Sequence, residues 1–291
     1  MREFEYVVPD TLEEAVRLMV EKGHRARAFA GGTDILVQLR SHRFEVDLLV
    51  DIKRIPELNQ LACSEGEGLT LGAAVPCYRI YEDPAVARLY PALVDAISII
   101  GSIQIQSRAT VGGNLCNAAP SGDSIPALIV LEAICNIAGP GGHRSVPVEE
   151  FCTAPGRNVL QEGEVLVSLH LPPPMPGSGA HYLRFTPRNE MDIAIVGAGA
   201  SVVMDDARQR IISARIALGA VAPTPVFARK AGDLLAGKEA NEESIEEAAQ
   251  AAMAAARPIT DMRGTIRQRI HLVGVLTRRA LRTAILRARE V

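Results

Sequence analysis

Residues 110–129 read TVGGNLCNAAPSGDSIPALI. Across residues 109–125 no side chain is larger than Leu, and Gly, Ala, Asn and Ser crowd the run. Such a segment leaves backbone N–H groups unobstructed, which is what a cradle for a diphosphate needs. A plain surface loop is the weaker reading, because it has no use for the apolar Val111, Leu115 and Cys116. The stretch lies in a longer tract, 101–126, that is rich in Gly, Asn, Ser and Pro and poor in helix signals. It therefore reads as a long functional loop.

About 80 residues upstream, residues 28–39 (AFAGGTDILVQL) carry a second Gly-Gly pair between a strand-like run and a helical one. Glycine there lets the backbone approach a bound group, and free N–H groups at a helix start favour phosphate. The same residues also suit a simple turn capped by Thr33 or Asp34. Around this pair, residues 4–8 are β-prone and Thr11 with Glu14 form a capping box. Leu12, Ala15, Val16, Met19 and Val20 then fall at helical spacing up to Gly23, and 45–52 reads as a buried strand. The first 55 or so residues are thus expected to run β-α-β-α-β.

Farther along, 61–73 reads as two short strands, 84–100 as one helix, and 133–138, 145–148 and 165–171 as strands. Residues 172–179 (PPPMPGSG) mark the sharpest change of composition and read as a linker. Strands are expected at 181–186, 193–204 and 210–221, then helices near 225–236, 242–256 and 265–289. Strands followed by helices indicate an α+β domain. In the closing helix Arg267, Arg269, Arg278, Arg279, Arg282, Arg287 and Arg289 alternate with an apolar stripe, and they read as a solvated basic face. Contact with a partner subunit and a place on a membrane surface are the lesser alternatives.

Composition narrows the function. A chain of 291 residues is long enough for about two domains. Net charge is −3, so no basic field holds nucleic acid, and aromatics at 4% make a stacking-based binder improbable. No run of 18 apolar residues spans a membrane, and the charged opening MREFE does not read as a signal peptide. Five cysteines without a C-x-x-C, together with scattered histidines, argue for reduced thiols, a cytoplasmic location and no metal on this chain. Residues 192–203 (DIAIVGAGASVV) approach the dinucleotide fingerprint, but β-branched Val202 stands where Gly or Ala belongs. A Gly-rich antiparallel strand is the better reading. No nucleophile–base motif is evident, and two diphosphate-type loops without catalytic groups fit a protein whose cofactor does the chemistry.

The two Gly-Gly stretches resemble the flavin-binding signatures of the FAD-binding (medium) subunit of molybdenum hydroxylases, the xanthine dehydrogenase and carbon monoxide dehydrogenase family. Three further stretches resemble the same family: MREFEYVVPDTLEEAVRLM at the start, MDIAIVGAGA, and DMRGTIRQRIHLVGVLTRRAL near the end. The likeness therefore covers the whole chain. It implies an α+β protein with a vanillyl-alcohol oxidase-type (PCMH) FAD-binding fold: two α/β subdomains at 1–57 and 58–175, and a C-terminal α+β domain at 176–291.

The likeness also implies a site. Arg27, Ala28, Phe29, Ala30, Gly31, Gly32, Thr33 and Asp34, with Thr110, Val111, Gly112, Gly113 and Asn114, would line the FAD diphosphate. Asp123 matches an acid near the adenosine half, Val165 and Leu166 match apolar positions near the cofactor, and Arg184 matches a basic position beside it. Covalent relatives carry His after the first Gly-Gly; Thr33 stands there here, so FAD is expected to be non-covalent. Gln104-Ile105-Gln106-Ser107 departs from the Q-I-R-N that often precedes the second signature.

The implied function is an electron-transfer flavoprotein subunit. Electrons would arrive from 2Fe-2S clusters on an iron-sulfur small subunit and leave through FAD to NAD or another acceptor. The molybdenum cofactor would sit on a molybdenum-binding large subunit, and the assembly would be a heterotrimer, paired as a dimer of heterotrimers. No residue of this chain is expected to be catalytic by itself. Two alternatives compete: a self-sufficient FAD-dependent reductase of the enolpyruvyl-glucosamine reductase type, and a non-enzymatic nucleotide-binding module.

Overall fold

The computed structural model describes residues 2–290. The expected β-α-β-α-β opening is present: β1 (Glu5–Val7), α1 (Leu12–Lys22), β2 (Ala26–Phe29), α2 (Ile35–Arg40) and β3 (Leu48–Asp51). The strands form a parallel sheet in the order β1-β3-β2. The Thr11 hydroxyl accepts the Glu14 N–H at 3.2 Å, which satisfies one of the orphan donors at the start of α1. β3 is buried along its whole length, as suits the central strand of a parallel sheet covered on both faces.

β4 (Leu61–Ser64) and β5 (Gly68–Gly72) are followed by six short helices: α3 (Cys77–Tyr81), α4 (Pro84–Leu89), α5 (Pro91–Ile97), α6 (Ile103–Gln106), α7 (Val111–Asn117) and α8 (Ser124–Val130). Two expectations are corrected here. The single helix over 84–100 is two, because Pro91 supplies no N–H and holds Tyr90 out of the helical region at φ −128°, ψ 54°. The loop expected over 101–126 instead folds into α6, α7 and the start of α8. Thr110 caps α7, its hydroxyl accepting the Gly113 N–H at 2.8 Å, and Asp123 precedes α8, all of whose residues are buried.

The chain then adds β6 (Ile134–Gly139), β7 (Gly142–Pro147), α9 (Val148–Phe151), the small pair β8 (Cys152–Ala154) and β9 (Arg157–Asn158), and β10 (Val165–Leu171). The second sheet is β4-β5-β10-β6-β7, antiparallel at each pairing.

Beyond the proline-rich link come β11 (Ser178–Phe185), β12 (Val196–Met204), β13 (Ile211–Gly219) and β14 (Val226–Phe227), an antiparallel sheet in chain order. α10 (Arg229–Asp233), α11 (Glu242–Ala255) and α12 (Ile266–Glu290) complete the chain. α12 lies along β11 and β12, so close that a Cβ at Gly179 would stand 2.2 Å from the Ala284 carbonyl. α5 and α8 pack against this same sheet and tie it to the rest of the fold.

The basic face expected on α12 is solvated in part: Arg267, Arg279, Arg282 and Arg289 are exposed, whereas Arg269 is buried and Arg278 and Arg287 are half-buried. Arg278 and Arg282 meet Glu246 and Glu242 of α11. Arg269 is buried, forks onto Asp261 at 2.8 and 2.9 Å, and donates to the carbonyls of Ile195 and Ala220. Arg287 grips Asp95 of α5, which also bonds His181 of β11 at 2.6 Å. Against the cost of burial, these partners hold the Asp95 carboxyl below its ordinary value. Among the described residues no helix is long and apolar enough to cross a membrane.

Candidate cofactor site

The two Gly-Gly loops meet. A Cβ on Gly31 would stand 2.1 Å from the Arg108 carbonyl, two residues before Thr110, so the backbones there are in contact. Gln38 of α2 donates from Nε2 to Oδ1 of Asn117 in α7 at 2.9 Å and ties the helix after one loop to the helix of the other. Gly112 in turn rests on Ala73, whose carbonyl lies 2.5 Å from where a Cβ would be. Segments widely separated in sequence thus converge on one point because glycine permits the approach.

At that point opens a cavity of about 1120 Å³, at the upper end of ordinary small-molecule sites. Of the residues singled out in the sequence, Arg27, Ala28, Ala30, Gly31, Gly32, Thr33 and Asp34 line it from one side. Thr110, Gly112, Gly113 and Asn114 line it from another, and Val165 and Leu166 contribute from the start of β10. The remaining four are placed elsewhere. Phe29 is buried under the first loop in a cluster with Leu39, Val46 and Leu49, and Val111 is buried in the main core. Asp123 and Arg184 pair with each other, with both side chains under 10% exposed. The Tyr182 hydroxyl donates to the second Asp123 oxygen at 2.9 Å. Burial pushes the Asp123 carboxyl up to about 6 against the pull of Arg184 and Tyr182, so at neutral pH a carboxylate still faces the guanidinium.

The cavity also has walls that the sequence reading passed over. Arg43 and Phe44 come from the link between α2 and β3, and Gly156, Arg157 and Asn158 from the turn and strand after β8. Met191, Asp192 and Ile193 reach in from between β11 and β12, where the Met191 N–H bonds the Gly101 carbonyl at 3.2 Å. The turn-forming Pro155-Gly156 pair, whose glycine takes φ +71°, is the local signal for the second group. Nothing local marks the third, whose place depends on a long-range contact.

The donors present suit a diphosphate. Among the described residues, the N–H groups of Gly31, Gly32, Thr33 and Asp34 make no backbone hydrogen bond within the chain, although all four residues line the cavity. Successive N–H groups of this kind form an anion-binding concavity. On the facing side, a Cβ added to Gly113 would meet only the Thr110 hydroxyl, at 2.9 Å, and otherwise project into open space. That is a cradle which glycine keeps clear. Arg27 is spent on the carbonyls of His24 and Ala26 at 2.8 and 2.9 Å. Cys116 lines the cavity too, but burial, and then the neighbouring Cys152, push its thiol up to about 12. It is therefore a neutral wall residue and not a nucleophile. The site binds and orients; reactivity has to come with the ligand.

Comparison with known proteins agrees with this geometry. Residues 2–174 match the FAD binding domain in molybdopterin dehydrogenase, and residues 181–284 match the CO dehydrogenase flavoprotein C-terminal domain. The chain is 32% identical over 276 residues to the xanthine dehydrogenase FAD-binding subunit of Escherichia coli O157:H7, covering 94% of each. It is 33% identical over 281 residues to the carbon monoxide dehydrogenase medium chain of Hydrogenophaga pseudoflava, covering 97% of this chain and 96% of that one. A solved structure of carbon monoxide dehydrogenase from Hydrogenophaga pseudoflava superposes with a TM-score of 0.94 at 31% identity, covering 98% of both chains. With the convergent Gly-Gly loops and the mixed α+β fold, these matches place the chain in the family of FAD-binding subunits of molybdopterin dehydrogenases, the flavoprotein subunits of molybdenum-containing dehydrogenase complexes.

Proposed function

We propose that this chain is the electron-transfer flavoprotein subunit of a multi-subunit molybdenum hydroxylase, holding FAD non-covalently. The row of free N–H groups at Gly31, Gly32, Thr33 and Asp34, facing the cleared backbone of Gly113 across one cavity, carries the reading. FAD held there would supply the redox chemistry that links 2Fe-2S clusters of a small partner chain to NAD or another acceptor. The chain itself binds and orients. The two loops take the diphosphate, Val165 and Leu166 offer apolar contact, and the buried Asp123–Arg184 pair braces Tyr182 and β11 against α8.

We divide the chain into two FAD-binding subdomains, 1–57 and 58–175, and a C-terminal domain, 176–291, a division supported by one larger sheet in each part. The molybdenum cofactor belongs to a large partner chain, and the complete assembly is a cytoplasmic dimer of heterotrimers. Thr33 after the first Gly-Gly is a poor covalent attachment point for a flavin. Acid precipitation of the purified protein is therefore expected to release all of its flavin, as intact FAD, into the supernatant. Flavin left in the pellet would refute non-covalent binding, and the absence of flavin from a preparation offered excess FAD would refute the reading as a whole.

A further inference from the structure

The parallel sheet ends, at the carboxyl side of its strands, in a cluster that the cofactor site does not contain. Asp51 closes β3, is 5% exposed, and accepts the Tyr6 hydroxyl on Oδ2. The same oxygen accepts Lys53 Nζ at 2.7 Å, and Oδ1 accepts the Lys53 N–H at 3.0 Å. Held in this way, the Lys53 ammonium donates at 3.2 Å to the carbonyl of Ala30 and stands 4.4 Å from the centre of the Phe29 ring. The ring is fixed from another side by Tyr6, edge-on at 5.9 Å. It also lies directly under Gly32, where a Cβ would come within 2.6 Å of its Cζ at φ +78°.

These contacts bear on the direction in which the first Gly-Gly loop points its donors. A trans peptide is planar, and its C=O and N–H point in opposite directions. Anchoring the Ala30 oxygen therefore sets the Gly31 N–H, the first of the four free donors. The Phe29 ring, fixed beneath Gly32, limits the next peptide. A cation on the carbonyl also polarises that amide and strengthens its N–H as a donor. The four donors line up as a concavity only if the loop stays in this one conformation, and a loop rich in glycine has little intrinsic preference for it.

We propose that Lys53, oriented by Asp51, is a positioning residue for cofactor binding. It acts through the Ala30 carbonyl and the Phe29 ring to hold the Gly31, Gly32, Thr33 and Asp34 amides ready for the diphosphate. This deepens the FAD-binding reading and rests on it. Lys53 is not in the cavity wall, so its effect is on the loop and not by direct contact.

The test strips the flavin from the full-length chain, in the assembly in which it is purified, and titrates FAD back into wild type, Lys53→Met and Lys53→Arg. Met keeps the length of the side chain and loses the donor; Arg keeps charge and donors. Lys53→Met is expected to raise the FAD Kd about tenfold, as befits one charge-assisted hydrogen bond. The flavin-free melting temperature should fall by several degrees, because the nearly buried Asp51 loses its cation; Lys53→Arg should recover both that temperature and the FAD affinity, the latter to within about threefold of wild type. Should Lys53→Met fail to fold, Lys53→Leu, which also removes the donor and the charge, is read by the same criterion. Wild-type affinity in the Met or Leu variant overturns the positioning role alone. Equal loss in the Met and Arg variants also overturns it, because a role carried by the cation should survive its replacement by another cation. Wild type that takes up no FAD overturns the reading beneath it.

Discussion

Gly112 and Gly113 are neighbours with different duties. Gly112 lies against backbone: a Cβ there would stand 2.5 Å from the Ala73 carbonyl and 2.7 Å from the Ala73 Cα. Neither atom can move without shifting the end of β5. Gly113 faces the cavity, with only the tip of Thr110 nearby. The first glycine serves the fold and the second leaves room for the ligand, although in the sequence they are indistinguishable. Gly112→Ala should therefore cost about 1–3 kcal/mol of stability or more, as overpacking does, and lose FAD only as a consequence. Gly113→Ala disturbs only the Thr110 cap, so it should cost no more than about 1 kcal/mol of stability, and it should weaken FAD roughly tenfold to hundredfold. Thermal melts of the flavin-free variants beside FAD titrations separate the two. A Gly113→Ala protein with normal FAD affinity would show that the second loop is only a turn.

Helices and strands are joined across the fold by few charged groups, and Asp95 is the clearest case. It stands on α5, yet its partners are His181 of β11 and Arg287 of α12. Its folded pKa lies below the ordinary 3.8 despite burial. A depressed carboxyl contributes stability that is present above the unfolded value and lost as pH falls through the folded one. Urea midpoints should accordingly fall below about pH 4 in wild type. Asp95→Asn should be less stable at pH 7 and show a shallower acid decline; an unchanged acid slope would count against this clasp. Elements of this kind explain which parts of the fold were legible in the sequence. The opening β-α-β-α-β could be read because caps and period are local, as with Thr11 and Glu14. Residues 101–126 could not, because α6 and α7 are short and depend on tertiary contacts: α6 is tied down by Gln106, which donates to the carbonyls of Ser98 and Ile100, and α7 by burial and the Thr110 cap. The glycines of 192–203 have a tertiary reason as well. A Cβ on Gly199 would stand 3.0 Å from the Pro126 carbonyl, so this strand accepts α8 rather than a nucleotide. In the site, the glycine loops could be read, whereas Met191, Asp192 and Ile193 owe their place to a bond with Gly101 that spans 90 residues of chain.

For the molecule as a whole, the cavity is assembled from all three larger units of the fold. The parallel sheet supplies the first loop, the second unit supplies α7 and the start of β10, and the segment between β11 and β12 closes one side. Its polar donors combine the main-chain amides of the first loop with side chains such as Gln38, Arg43, Arg157 and Asn158, and its one thiol among the described residues, Cys116, is held neutral. Such a wall suits the retention and orientation of a cofactor that carries the chemistry itself. Met191 and Ile193, which belong to the cavity wall, are also 56% and 47% exposed. They offer exposed apolar surface at the edge of the cavity. The isolated chain is therefore expected to bind FAD, and to show slow NADH–dye activity if NAD is its acceptor, yet to leave hydroxylase substrates untouched. Substrate oxidation should return only when the iron–sulfur and molybdenum chains are added together, and it should not return with either alone. The measurement is dye reduction by substrate across the four mixtures: this chain alone, with each partner, and with both. Substantial oxidation by this chain alone, in a preparation free of molybdenum and iron, would make it a self-sufficient flavoenzyme, because the electrons would then have entered FAD directly from the substrate.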